Sequence, residues 1–160
     1  MIEPKIFGEQ RGFFLETFNS DRYREIVDID LDFVQDNHSC SSKGVPRGLH
    51  FPKVNPHGRL VCVVRGEVFD VVVDIRKDSP TNGAWEGVLL SEENKTQFWI
   101  PPGLAYGFVV LADFEYKCTD YYNPVHEGCL LWNDSDVGIE WPFDTRCYPK
   151  KTSRVIFSKR

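Results

Sequence analysis

The feature that most limits how this chain can fold is a succession of short β-branched and aromatic runs, each stopped by glycine, proline or asparagine. Residues 60–64 and 68–75 are rich in valine and joined at Arg65-Gly66, a spacing that predicts a β-hairpin. Further strands are expected over residues 12–17, 32–36, 84–90, 97–100, 105–111, 115–121 and 130–132. Ser79-Pro80-Thr81-Asn82-Gly83, Pro101-Pro102-Gly103 and Asn123-Pro124 supply turn chemistry between them. The helix candidates are short. The best, over residues 20–27, opens with Ser20 as its cap and carries Asp21 in its first turn. Many short strands spaced in this way predict an all-β sandwich or barrel. With no repeat or low-complexity stretch, residues 1–160 read as a single domain, with a basic segment from about residue 144.

Composition narrows the function classes. A hydrophobic fraction of 41% with 14% aromatics belongs to a globular chain. The net charge of −5, with acids and bases interspersed, leaves no basic stripe for nucleic acid. The longest apolar runs, such as 68–73, are too short to span a bilayer, and that one contains Asp70. Met1-Ile2-Glu3-Pro4-Lys5 has no apolar signal region, so a cytoplasmic protein is expected. The five cysteines include no C-x-x-C pair, which argues against a zinc knuckle or a disulfide framework. Cys62, inside a valine run, reads as a small buried hydrophobe. Arg146, Lys150, Lys151, Arg154, Lys159 and Arg160 make the end of the chain basic, as a solvated tail or a partly docked segment.

One polar constellation stands out. Arg47-Gly48-Leu49-His50 is followed nine residues later by Arg59 and then by Asp70 on a strand. An imidazole moves protons at neutral pH, and nearby cations stabilise negative charge as it develops. If Arg65-Gly66 is a two-residue turn, Val61 opposes Asp70 and Arg59 opposes Val72, making Arg59 and Asp70 diagonal neighbours. Val68, Asp70, Val72 and Asp74 then share one face, suited to lining a cavity. Phe69, Val71, Val73 and Ile75 share the other, suited to a core or subunit contact. A surface Asp–Arg pair on a plain hairpin fits the same pattern. His50, bracketed by Pro46 and Pro52, fits a structural imidazole as well as a base; His38, His57 and His126 are weaker candidates. Tyr116, Cys118 and Asp120 share a strand face, where Tyr116 fits either a general acid or an aromatic of the barrel packing. No catalytic metal is expected. His50 stands alone on its strand, and Tyr106 occupies the position in Pro101-Pro102-Gly103-Leu104-Ala105-Tyr106 where a ligand would be needed.

Several longer runs then carry a resemblance. They are Arg11-Gly12-Phe13-Phe14-Leu15-Glu16, Phe33-Val34-Gln35-Asp36-Asn37-His38-Ser39, Arg47-Gly48-Leu49-His50-Phe51, Gly66-Glu67-Val68-Phe69-Asp70-Val71, Trp99-Ile100-Pro101, Tyr116-Lys117-Cys118-Thr119-Asp120-Tyr121-Tyr122 and Trp132-Asn133-Asp134. From Glu3 to Pro142 the chain resembles the dTDP-4-dehydrorhamnose 3,5-epimerase family, metal-free cupin-type jelly-roll β-barrels of nucleotide-sugar biosynthesis. The resemblance implies a homodimer that binds a nucleotide-diphosphate sugar without metal or redox cofactor. It implies His50 as the base, Tyr116 as the acid on the opposite face, and Arg59, where the family usually has lysine, as the enolate-stabilising cation beside Asp70. Arg47 matches the arginine next to the base. Arg11, Phe14, Glu16, Gln35 and Asn37 match nucleotide contacts, some reaching across from a partner subunit, and Tyr122 and Glu127 match further contacts to the nucleotide sugar. Tyr106 is carried over as a substrate contact, although the family has histidine there.

Two other departures accompany Tyr106. A carboxylate in a Ser-x-Lys-Asp segment orients the base in the family, whereas Tyr148-Pro149-Lys150-Lys151-Thr152-Ser153 contains no acid. Loss of such a partner weakens a histidine base. The chain also begins close to Glu3-Pro4-Lys5, without the usual leading strand. The expected activity is inversion at C3, C5 or both, next to the C4 ketone of a dTDP-linked 4-keto-6-deoxy sugar. Alternatives are a single-position epimerase on a related dTDP-, CDP- or GDP-linked sugar, or a non-catalytic relative that binds the nucleotide sugar.

Overall fold

The computed structural model describes residues 1–27, 32–110, 114–118, 120–121 and 126–142, with backbone alone at 110 and 114–118. Strands β1 (Ile6–Glu9) and β2 (Gly12–Leu15) form a small antiparallel arm, followed by helix α1 (Ser20–Val27). The remaining strands are β3 (Gln35–Ser39), β4 (Pro46–Pro52), β5 (Arg59–Val63), β6 (Glu67–Asp74), β7 (Trp85–Ser91), β8 (Gln97–Ile100), β9 (Leu104–Val110), β10 (Phe114–Cys118) and β11 (Glu127–Cys129). They make two antiparallel sheets, one ordered β3-β10-β5-β8 and the other β11-β4-β9-β6-β7.

Apolar burial explains the layering. Val61, Val63, Phe98 and Ile100 of the four-stranded sheet pack against Val68, Val72, Leu90, Tyr106 and Phe108 of the five-stranded sheet. On the outer side of the five-stranded sheet, Leu49, Val71, Val73 and Ala105 are covered by Leu130 and Val137, with Trp141 edge-on to Phe69. A third cluster joins Ile2, Tyr23 and Leu60 to Phe18, Phe33 and Trp99. Among the described residues no helix is long and apolar enough to cross a membrane.

The expected hairpin is not formed. Strand β5 pairs with β10 and β8, while β6 pairs with β9 and β7, so the bend at Arg65-Gly66 carries the chain from one sheet to the other. Valine-rich strands that are buried on both faces accept any neighbouring strand, and a local Arg-Gly turn does not choose the partner. The face assignment on β6 survives the change: Val68 and Val72 point between the sheets, and Phe69, Val71, Val73 and Ile75 point to the outer cluster.

Other boundaries move as well. The helix spans the expected residues, but its cap is Asn19, whose Oδ1 accepts from the Arg22 amide at 3.2 Å. The strand expected over 32–36 lies at Gln35–Ser39, and that expected over 130–132 lies at Glu127–Cys129. Leu130 instead exchanges backbone hydrogen bonds with Leu49 outside a named strand. Ile2 bridges to Gln97, so residues at the start of the sequence dock on the β8 edge. Cys40, Cys62 and Cys129 are not joined in disulfides. Tyr122, the Tyr116 side chain and the basic segment from 144 lie outside the described residues.

Candidate active site

The site is set by an irregularity in β4. Arg47 stands opposite Phe108 and His50 opposite Tyr106, so β4 carries one more residue than β9 over this stretch. Such a bulge re-aims the side chains that follow it. Gly48 makes it possible: its φ is +103°, and a Cβ there would lie 2.7 Å from the Tyr106 carbonyl oxygen and 2.8 Å from Gly107 Cα. Past the bulge, Leu49 is fully buried in the outer cluster, and His50 takes the face it shares with Tyr106, whose ring lies between the sheets.

Around Tyr106 three candidate residues meet. Its hydroxyl donates to Asp70 Oδ2 at 3.3 Å, and its ring lies under the buried Arg59 guanidinium, with Cζ 5.4 Å from the centroid. Burial pushes the Asp70 carboxyl well above the usual carboxylate range, against the opposing Tyr106 hydrogen bond and Arg59 charge. The expected proximity of Arg59 and Asp70 thus exists, but across the space between the two sheets.

His50 sits at the rim, with 43% of its side chain exposed. Its Nδ1 lies 3.5 Å from Glu127 Oε2, a contact that pattern reading alone did not supply. His57, a weak candidate by sequence, is buried, and burial and then the Arg59 charge lower its pKa, while Asp120 and Glu127 act in the opposite sense. That a Pro-His-Gly turn precedes the strand carrying Arg59 is the only sequence signal for it. Gln35 and Asn37 lie together, the Gln35 amide donating to Asn37 Oδ1 at 2.8 Å. Their strand pairs with β10, where Tyr116 stands in register with Asn37 and Val61.

The remaining candidates make contacts elsewhere. Arg47 donates to Ser41 Oγ through Nη2 at 2.8 Å. Arg11, at the tip of the arm, pairs with Glu9 at 2.8 Å, and Phe14 is 69% exposed beside Phe7. Glu16 pairs with Arg22 of α1 at 2.8 Å.

A half-exposed imidazole with a carboxylate at its back, on a strand in register with the tyrosine that a buried guanidinium covers, suits proton abstraction next to a group that becomes an oxyanion. The family model described as dTDP-4-dehydrorhamnose 3,5-epimerase matches residues 1–160. The chain belongs to the dTDP-4-dehydrorhamnose 3,5-epimerase family. The Salmonella typhimurium dTDP-4-dehydrorhamnose 3,5-epimerase is 57% identical over 147 residues, covering 89% of this chain and 80% of that one. The Escherichia coli K12 enzyme of the same name is 50% identical over 164 residues, covering 100% of this chain and 84% of that one. The crystal structure of a Legionella pneumophila dTDP-6-deoxy-D-glucose-3,5-epimerase in complex with dTDP-4-keto-L-rhamnose matches with a TM-score of 0.87. It is 56% identical to this chain, covering 89% of it and 77% of the Legionella chain. The two facing sheets are thus those of an epimerase-type, cupin-like jelly roll.

Proposed function

We propose that this epimerase inverts C3 and C5 of a dTDP-linked 4-keto-6-deoxy sugar, with His50 as the base and Tyr116 as the acid. The protons at C3 and C5 are acidic because either carbanion delocalises into the C4 ketone as an enolate. His50 takes the proton, and Arg59 stabilises the oxyanion that forms at C4. Tyr116 returns a proton on the opposite face, which inverts the centre. The observation that carries this reading is the grouping of His50, Tyr106, Arg59 and Asp70 in one place.

Gln35, Asn37, Arg47, Tyr106 and Tyr122 are assigned to the nucleotide sugar. Arg11, Phe14 and Glu16 are assigned to the same ligand across a homodimer interface formed by the arm.

The test is solvent-deuterium wash-in with dTDP-4-keto-6-deoxyglucose, read by NMR. Label at both C3 and C5 is expected; label at neither contradicts the proposal. Tyr106 in place of histidine favours the single-position epimerase as a second reading, which label at one carbon alone would identify.

A further inference from the structure

We propose that Glu127 is the positioning residue for His50, holding its Nδ1–H so that Nε2 faces the substrate. This rests on His50 being the base, and it assigns Glu127 a role different from the substrate contact implied by sequence resemblance. The pairing follows from strand geometry. In the β11–β4 ladder Cys129 stands opposite His50 and Glu127 opposite Pro52. Residues two apart on a strand share a face, so Glu127 is the diagonal neighbour of His50, a position that long side chains bridge. The Glu127 carboxylate accordingly reaches to 3.5 Å from Nδ1.

Burial gives the contact its direction. The His50 side chain is 43% exposed, yet its Nδ1 is sealed from solvent and makes no hydrogen bond. The exposed part of the ring is therefore its far edge, which carries Nε2. A sealed ring nitrogen facing a carboxylate is best satisfied as a donor, which selects the tautomer with a basic Nε2. The separation is longer than a charge-assisted hydrogen bond of about 2.7–2.9 Å. Contacts of this kind tighten in a Michaelis complex and strengthen as the imidazolium forms. The 148–153 stretch, where resemblance places an orienting acid, supplies none.

The other groups near His50 do not compete for this role. Tyr106 on β9 is committed to Asp70, Cys129 on β11 is a thiol, and Arg47 on β4 is cationic. Glu127 and Asp120 also act on His57, so the two imidazoles must be told apart by a His57→Gln reference spectrum.

The test combines kinetics with NMR of the imidazole nitrogens in Glu127→Gln and Glu127→Asp. Glu127→Gln is expected to lower kcat by about 10- to 100-fold with KM little changed. It should also remove the preference of His50 for the Nδ1–H tautomer, and Glu127→Asp should restore part of that preference and of kcat. A raised KM with kcat intact would return Glu127 to substrate binding and overturn the proposal, as would an unchanged His50 tautomer. The NMR arm needs no turnover. A wild-type protein that shows the expected His50 tautomer but does not exchange substrate protons would keep the pairing and refute the epimerase mechanism instead.

Discussion

Asp70 is a carboxylic acid sealed between two sheets, with one oxygen held by Tyr106 and the other, Oδ1, without a hydrogen bond. Its pKa is raised chiefly by burial, so its folded value lies above its unfolded one. The stability it contributes is fully present below the unfolded pKa of about 3.9 and is lost as pH rises through the folded value. Thermal unfolding of the wild type should therefore fall off toward alkaline pH more steeply than that of Asp70→Asn. The variant should gain roughly 2–4 °C in Tm at pH 8 for each kcal/mol of penalty removed. Parallel pH–Tm profiles would show that Asp70 ionises freely. Asp74, four residues along the same strand, behaves oppositely. Hydrogen bonds from Arg76 above all, then Ser79 and Thr81, hold its carboxylate well below the usual range despite burial. The expectation that Arg59 lies near Asp70 rests on a hairpin that does not form, so at this scale only the face that Asp70 shares with Val68 and Val72 is legible in the sequence. The tie between Glu127 and His50 is not, because it depends on two strands far apart in the chain.

Among the elements, β4 decides whether there is a site at all. The backbones of β4 and β9 approach so closely at the bulge that a Cβ on Gly107 would sit 2.7 Å from the Arg47 carbonyl oxygen, mirroring the restriction at Gly48. Gly48→Ala must strain a left-handed backbone and push the strands apart. A loss of about 3 kcal/mol or more is expected, measured by denaturant unfolding, together with loss of proton exchange as His50 is displaced. Wild-type stability and exchange in that variant would show that the bulge does not set the site. Strand β4 is hard to read from sequence because Pro46, Gly48 and Pro52 look like loop punctuation. Here they mark the two ends of the strand and the bulge within it. Strand β8, whose Phe98-Trp99-Ile100 run is closed by Pro101-Pro102-Gly103, is read without shift. The β5–β6 hairpin is misread because adjacency in sequence and a plausible turn outweigh pairing information that the chain does not carry locally.

Among the described residues apolar side chains are buried in three clusters, while the β1–β2 arm keeps a group of them uncovered. Ile6, Phe7, Phe13 and Phe14 are all exposed there. Single exposed hydrophobics are ordinary, but a contiguous group on a projecting sheet marks an interaction surface. If the arm closes a homodimer, sedimentation should give twice the 18.5 kDa chain mass, and Phe7→Ser with Phe14→Ser should give the monomer. A wild-type monomer would contradict that assembly. The all-β class and two-layer arrangement are visible in the spacing of strands and turns. The distribution of strands between the sheets is not, since it is settled by contacts across the whole chain. The central claim remains that His50 is the base. It is tested most directly by comparing solvent-deuterium exchange into dTDP-4-keto-6-deoxyglucose for wild type and His50→Ala. The account predicts exchange at C3 and C5 in the wild type and a loss of about 10²–10⁴-fold in the variant, with dTDP affinity retained. Exchange at the wild-type rate by His50→Ala would contradict it.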